Sequence, residues 1–340
     1  MKKILVTGGT GFIGSHTVVE LQNKGYEVLI ADDLSNSSIE VLDSITKITG
    51  IQPGFEKIDL SDAAKTADFF SRNQNIEGII HFAAFKAVGE SMIKPLEYYR
   101  NNLGSLLNIL EGMKVNGIKN VVFSSSCTVY GQPEVLPVTE SAPIQQAWSP
   151  YGNTKQMCEE ILRFSTMTLP LKAIALRYFN PIGAHESALI GELPIGVPGN
   201  LVPFITQTAI GIRPCLNVFG DDYNTPDGSA VRDYIHVVDL AKAHVIAVER
   251  MLDNKGKSNL EIFNLGTGNG YSVLQVIHSF EKVSGVKLNY KIVPRRPGDI
   301  EQTWADTTFA NEELGWKAEK ELDEMMLSAW NWEKALASKK

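Results

Sequence analysis

Short apolar runs alternate with helical patterns through the first half of the chain. Lys3–Thr7, Glu27–Ala31, Phe55–Asp59, Gly78–Ala83, Asn120–Ser124 and Ala173–Leu176 are β-branched and aliphatic, the composition of strands covered on both faces. Between them, Ser15–Asn23, Ala63–Asn73, Pro95–Val115 and Pro150–Met167 carry helical spacing. This alternation predicts an α/β fold with a doubly wound parallel sheet. From about residue 181 the texture changes, because Pro181, Gly183, Gly191, Pro194, Gly196, Pro198 and Gly199 favour loops. Helical patterns return at Leu201–Ile212 and Val238–Met251, and Ile262–Leu265 reads as one more buried strand. Ser272 reads as the N-cap of a helix running to about Val283. The expected organisation is a first domain over residues 1–180 and a smaller mixed α/β domain over 181–340. Part of the second, about 235–270, is expected to return to the first.

Thr7-Gly8-Gly9-Thr10-Gly11-Phe12-Ile13-Gly14 follows the first strand directly and opens a helix. Gly8 and Gly11 let the backbone turn tightly and approach a pyrophosphate, while the helix N-terminus supplies donors and positive potential. Gly14 allows close contact between helix and strand. The second strand ends at Asp32-Asp33, eighteen residues beyond Gly14. A carboxylate there accepts from the adenosine ribose hydroxyls and repels a 2′-phosphate, which favours NAD over NADP. Asp59, at the end of the third strand, can accept from the adenine amino group or simply form a turn. The first domain is therefore expected to be a Rossmann-type, NAD-binding domain.

Tyr151 and Lys155 stand four apart behind Ser149-Pro150, an N-cap followed by a proline suited to the first helical turn. That spacing puts both side chains on one helix face. A phenol titrates near 10, so a base at neutral pH needs its pKa lowered by about 3 units, roughly 4 kcal/mol. The neighbouring ammonium and the positive ring of oxidised nicotinamide both favour phenolate. Ser124-Ser125-Ser126 closes the fifth strand, at the carboxyl edge where such sheets present ligands. A hydroxyl there can share a proton with the tyrosine.

Composition narrows the field further. The net charge of −7 is spread along the chain and supplies no basic face for nucleic acid. Cys127, Cys158 and Cys215 have no metal-type spacing, and no two of the six histidines form a ligand pair on one helix face. A reduced cytoplasmic protein without a metal is expected. The opening Met1-Lys2-Lys3-Ile4-Leu5-Val6 imitates a signal peptide, but the apolar run stops at Thr7-Gly8-Gly9. No run approaches the ~20 apolar residues that span a bilayer, so no membrane partner is expected.

Several stretches taken together resemble the extended short-chain dehydrogenase/reductases, and among them the UDP-glucose 4-epimerase family. They are Gly8–Gly14, His81–Ser91, Ser124–Tyr130, Tyr151–Lys155, Arg177–Gly183 and Val231–His236, and the likeness runs from Lys3 to about Trp332. The resemblance implies that Ser126 is the catalytic serine, Tyr151 the acid/base and Lys155 its partner. It implies NAD contacts from Phe12, Ile13, Asp32, Asp33, Asn36, Ser37, Asp59, Leu60, Phe82, Ala83, Ala84, Lys86, Asn101, Ser124, Tyr151, Lys155 and Phe179. For the UDP-hexose substrate it implies Lys86, Ser126, Tyr151, Asn180, Asn200, Leu201, Leu216, Val218 and Phe219. Arg232, Tyr234, Arg296, Asp299 and Thr303 complete that set. Guanidinium forks suit a pyrophosphate, so the physical reading of the arginines agrees. Ala84 stands where glycine is frequent, and Thr303 stands where bacterial relatives can carry a tyrosine lining the sugar pocket.

The implied reaction is reversible inversion at C4 of UDP-glucose and UDP-galactose through a transient 4-keto sugar, with NAD kept bound. Threonine at position 303 leaves room for an N-acetyl group, so UDP-N-acetylglucosamine and UDP-N-acetylgalactosamine enter the expectation. Two alternatives share the scaffold: a 4,6-dehydratase or decarboxylase, and a non-catalytic NAD-binding regulator. A dehydratase needs additional acid/base groups, in that family an Asp-Glu pair beside the catalytic hydroxyl. Cys127-Thr128-Val129 follow Ser126 here, with no carboxylate. A regulator is expected to lose Tyr or Lys of the pair, and both are present. The helices at Pro95–Val115 and Pro150–Met167 carry apolar residues such as Leu103, Leu106, Leu107, Leu110, Ile161 and Leu162, some of which must face the sheet, and the resemblance implies that the two helices also pair with a second subunit as a homodimer interface.

Overall fold

The computed structural model describes residues 1–296 and 299–338. Its strands are β1 (Lys3–Thr7), β2 (Glu27–Asp32), β3 (Gly54–Lys57), β4 (Ile76–His81), β5 (Asn120–Ser126), β6 (Lys172–Tyr178) and β7 (Asn180–Ile182). They continue with β8 (Leu216–Phe219), β9 (Val231–His236), β10 (Leu260–Leu265), β11 (Gly270–Ser272), β12 (Tyr290–Val293) and β13 (Gln302–Thr303). The α-helices are α1 (Phe12–Asn23), α2 (Val41–Thr49), α3 (Ala63–Arg72), α4 (Val88–Ile93) and α5 (Pro95–Asn116). After them come α6 (Pro150–Thr168), α7 (Leu201–Ala209), α8 (Val237–Leu252), α9 (Val273–Ser284) and α10 (Leu322–Ala337).

Seven parallel strands form the main sheet in the order β10-β6-β5-β4-β1-β2-β3. It is an α/β Rossmann-type sheet, as the alternation of runs predicts. The order reverses between β1 and β4, so their carboxyl ends at Thr7 and His81 open the crevice where such sheets take ligands. One face is sealed by apolar residues of β1, β2 and β4 against Val18, Val19 and Leu21 of α1 and Val245 and Val248 of α8. The other packs against Phe69 and Phe70 of α3, Leu106, Ile109 and Met113 of α5, and Leu162 of α6. A third apolar cluster lies among α7, α9 and α10, including Ile205, Phe280, Met325 and Trp330. It supports a small sheet in which β9 pairs with β7, β11 and β13.

Strand β9 escapes the sequence pattern because Arg232 and Asp233 interrupt its apolar alternation. The structure resolves the conflict by burying Asp233 as an acceptor for Thr267 N and Oγ1 (both 2.8 Å), Gly268 N (3.1 Å) and Ala305 N (3.2 Å). Four histidines are buried as well: His16, His81, His236 and His244. Loss of hydration pushes the first two down to about 3 and the others to about 4.

Candidate functional site

The glycine loop sits at the reversal of strand order. Gly8 has a φ of 69°, and a Cβ on it would lie 2.8 Å from Ala83 N, just past β4. A Cβ on Gly14 would collide with the Gly8 carbonyl oxygen. The loop therefore needs bare backbone at both positions. Gly11 is the N-cap of α1 and brings no side chain to the first-turn N–H groups, which stay available to an anion. Asp32, at the end of β2, is buried and accepts from Thr10 N (3.2 Å), Leu34 N (2.9 Å) and Ser37 Oγ (3.2 Å). A carboxylate has about four acceptor positions, so one remains for a further donor.

The neighbouring acids are less committed to a ligand. Asp33 accepts from Ser35 N and Oγ (2.8 and 2.7 Å), and exposed Asp59 accepts from Ser61 N and Oγ (2.9 and 2.7 Å). Both do the work of turn formers. Asp59 lies two residues beyond the end of β3, in the following loop. Asn36 is exposed in the loop after β2, Leu60 is buried, and Phe82 packs against His244 with ring centroids 4.6 Å apart.

Helix α6 begins as its sequence implies. Ser149 Oγ accepts from Gly152 N (3.1 Å) and Pro150 occupies the first turn. Lys155 is buried one turn after Tyr151 and donates from Nζ to the Ser124 carbonyl (2.7 Å). Its ammonium lies 4.8 Å from the centre of the Phe123 ring and 5.9 Å from that of Tyr151. Ser126 ends β5, accepts from Thr128 N (3.2 Å) and faces the Tyr151 phenol. Ser126, Tyr151 and Lys155 thus converge.

Burial pushes the Tyr151 phenol up to about 12, the Ser126 hydroxyl draws it back only in part, and the Cys127 thiol adds to the rise. Burial also brings Lys155 down to about 8, against the pull of Cys158 and Glu159. Without NAD, burial therefore favours the neutral phenol.

Behind these groups lies a buried ion pair that sequence reasoning missed. Arg177 of β6 grips Glu159 of α6 through Nε–Oε1 (2.9 Å) and Nη2–Oε2 (2.6 Å), and Ser125 Oγ donates to Oε1 (2.5 Å). Arg177 also reaches Tyr130 Oη (3.0 Å), which donates to Asn264 Oδ1 of β10 (2.6 Å). The available signal was spacing, since Glu159 continues the Tyr151–Lys155 face by another four residues.

Lys86 Nζ (3.3 Å) and Asn200 Nδ2 (2.6 Å) both approach Glu192 Oε1, a residue the sequence reading did not single out. Asp299 joins the two arginines, with Arg232 Nη2 at 3.4 Å from Oδ1 and Arg296 Nε at 3.1 Å from Oδ2. Arg296 also covers the Phe219 ring at 4.6 Å. Asn180 pairs with Tyr234 through β7 and β9, and Thr303 is buried in register with Arg232. Leu216, Val218 and Tyr234 turn into the core with Val202 and Ile205, which leaves their backbone as the part available to a ligand. Leu201 opens α7 beside Asn200, Phe179 packs with Val129 and Tyr130, and Asn101 Nδ2 donates to Asn102 (3.0 Å).

The model of the GDP-mannose 4,6 dehydratase family matches residues 5–328. UDP-glucose 4-epimerase of Pasteurella multocida is 52% identical over 97% of both chains. That of Bacillus subtilis is 51% identical over 97% of this chain and 96% of the relative. The chain belongs to the UDP-glucose 4-epimerase family. Among solved structures of the family, the enzyme of Stenotrophomonas maltophila with bound NAD and formylated UDP-arabinopyranose superposes with a TM-score of 0.96. It is 46% identical, with all of both chains covered. The Bifidobacterium longum enzyme in complex with NAD+ and UDP gives 0.92 at 49% identity, covering 98% of each.

Proposed function

We propose that this chain is an NAD-dependent isomerase that interconverts UDP-glucose and UDP-galactose at C4. The observation that carries the reading is the convergence of Ser126, Tyr151 and Lys155 at the carboxyl edge of the main sheet, the edge that also carries the glycine loop, and Arg232 and Arg296, joined through Asp299, supply guanidinium groups suited to a diphosphate. The glycine loop and the Asp32 carboxylate fit NAD, the first because a Cβ at Gly8 or Gly14 would close it. Bound NAD supplies the hydride acceptor and donor for C4 of the sugar. With the Lys155 ammonium and the positive ring of oxidised nicotinamide favouring its phenolate, Tyr151 Oη would take the proton of the 4-hydroxyl and return it, while Ser126 Oγ holds the reacting oxygen in reach. Lys155 keeps a positive charge beside the phenol and holds the nicotinamide ribose. Arg232 and Arg296 anchor the diphosphate, so the 4-keto sugar can turn without leaving. That division of labour, a fixed nucleotide and a loosely held hexose, is what inversion without net redox demands.

Domains follow the same division: residues 1–180 for NAD, 181–340 for the UDP-sugar, with about 235–270 returning to the first. The absence of a carboxylate among Cys127-Thr128-Val129 weighs against dehydration, although the matching family model carries a dehydratase name. The decisive experiment incubates the purified protein with UDP-galactose and follows UDP-glucose by anion-exchange chromatography. A product lacking water, or no product, refutes the reading.

Two finer points belong to the proposal. Thr303, small and buried beside Arg232, leaves room for N-acetylated UDP-hexosamines. A UDP-Glc/GlcNAc 4-epimerase of Campylobacter jejuni, 36% identical with a TM-score of 0.84, supports that reading. The second point is a cytoplasmic homodimer paired through α5 and α6, whose outer faces expose Leu107, Met157 and Phe164. Cys127, Cys158 and Cys215 are free thiols, in keeping with a reducing compartment. No helix among the described residues is long and apolar enough to cross a membrane.

A further inference from the structure

Between β4 and α4 the chain crosses the crevice through residues 82–87 without joining a helix or strand. Backbone in such a segment normally finds its partners in water or drifts. Here the peptides on both sides of Lys86 are gripped by side chains of α5 one turn apart. Asn102, buried, accepts from Phe85 N at Oδ1 (2.8 Å) and donates from Nδ2 to Phe85 O (3.0 Å). Tyr98, also buried, accepts from Ala87 N at its hydroxyl (3.0 Å). The same hydroxyl lies 2.9 Å from both the Ala87 carbonyl and Glu90 Oε2 and donates to one of them. The Tyr98 ring packs on Phe85, with centroids 5.5 Å apart. Asn102 Nδ2 further reaches Thr154 Oγ1 (3.0 Å), the residue before Lys155.

We propose that Tyr98 and Asn102 are positioning residues that clamp the backbone around Lys86 and hold that lysine in register with Tyr151 and Lys155. The inference rests on the reading of Lys86 as a ligand contact. A lysine stem has four rotatable bonds and about 2 kcal/mol of rotamer entropy, so its head can be placed only if its backbone is fixed. The clamp does this at Phe85 and Ala87 and leaves the intervening side chain free to reach across the crevice, where Glu192 is its partner. Through Thr154 the same asparagine ties the loop to the helix carrying the acid/base. One buried amide, with all its hydrogen-bonding positions used, references the two lysines to each other.

A double-mutant cycle on the NAD-loaded enzyme tests this. Tyr98→Phe keeps the ring and deletes the hydroxyl grip. The expected result is a ten- to hundredfold loss of kcat/KM for UDP-galactose, of the order that about 1 Å of misplacement costs. NAD content and circular dichroism should match wild type. Lys86→Ala should lose kcat/KM by itself, and adding Tyr98→Phe to it should cost less than threefold more. Asn102→Ala gives a second cycle against Lys86→Ala with the same expectation, should Tyr98→Phe prove too unstable to assay. Full kcat/KM in Tyr98→Phe, or losses that multiply in the doubles, overturn the clamp. If instead Lys86→Ala retains wild-type kcat/KM while Tyr98→Phe is slow, the reading of Lys86 has failed, and the clamp as stated falls with it.

Discussion

Lowering the pH from 7 to 5 should strip this protein of much of its stability, because four histidines are buried in neutral form. His16 and His81 are pushed down to about 3, His236 and His244 to about 4, in each case by burial first of all. Unfolded, each titrates near 6.5, so below that pH the unfolded chain binds protons that the folded chain refuses. Stability must then fall as pH falls, and each histidine contributes a loss of about 2 kcal/mol between pH 7 and 5. Together they remove roughly 7–8 kcal/mol, comparable with the 5–15 kcal/mol total of a typical fold. Glu20, Glu140, Asp233 and Asp239 act in the opposite sense, since burial raises them and the folded state protonates first, but that offset grows only nearer the carboxylate range. At about 2.1 cal/mol/K per residue, 340 residues give roughly 0.7 kcal/mol per degree, so Tm should drop by about 10 °C. Thermal melts of the NAD-loaded enzyme at pH 7, 6 and 5 and constant ionic strength read this directly. His244→Leu, which keeps the apolar contact with Phe82 and Tyr178, should reduce the pH slope by about a quarter. A Tm that moves by less than about 2 °C over the interval, or an unchanged slope in His244→Leu, refutes the reasoning.

Four further outcomes follow from the site. Tyr151→Phe should keep bound NAD and lose 10²–10⁴-fold in turnover, the usual worth of a general acid/base, and wild-type rates would move that role elsewhere. Lys155 titrates at about 8, so its ammonium is lost as pH rises through that value; kcat should fall on the alkaline side, and a flat profile to pH 10 would remove the ammonium from the mechanism. NAD, not NADP, should be recovered from the denatured protein because Asp32 repels a 2′-phosphate, and Thr303→Tyr should depress turnover of UDP-N-acetylgalactosamine relative to UDP-galactose, an unchanged ratio telling against the pocket argument.

The elements legible in the sequence are those whose own residues decide them. Lys3–Thr7 forms as read, and Ser272 caps α9 with Gln275 completing the capping box. Strand β6 and strand β10 each extend beyond the apolar runs that mark them, because Arg177 of the one and Glu261 of the other are satisfied by charged partners on neighbouring helices, Glu159 and Arg250. Such partners are invisible to local periodicity. For the same reason β9 was hidden, whereas α10, which contains neither Pro nor Gly, was missed although Leu322, Met325, Met326, Ala329 and Trp330 stand at helical spacing. In the site, the Tyr151–Lys155 spacing and the Gly8–Gly14 loop are local features and were readable. Glu192 and the Tyr98–Asn102 grip depend on where loops cross in space. Charge proximity to the phenol can be inferred from spacing, whereas the depth of its burial cannot.

The position of β10 bears on how the chain is made. Strand β6 pairs on one side with β5 and on the other with β10, which leaves the ribosome more than eighty residues later. Until residue 265 emerges, β6 is a raw sheet edge, and Arg177 and Tyr130 lack the Asn264 that completes their network. Helix α8, which covers α1, arrives in the same late segment. The main sheet therefore cannot be completed until 265 residues of the chain have been made, well after its first six strands have emerged. A nascent chain stalled at residue 180 should remain protease-sensitive, and one stalled with residue 265 clear of the exit tunnel should become resistant.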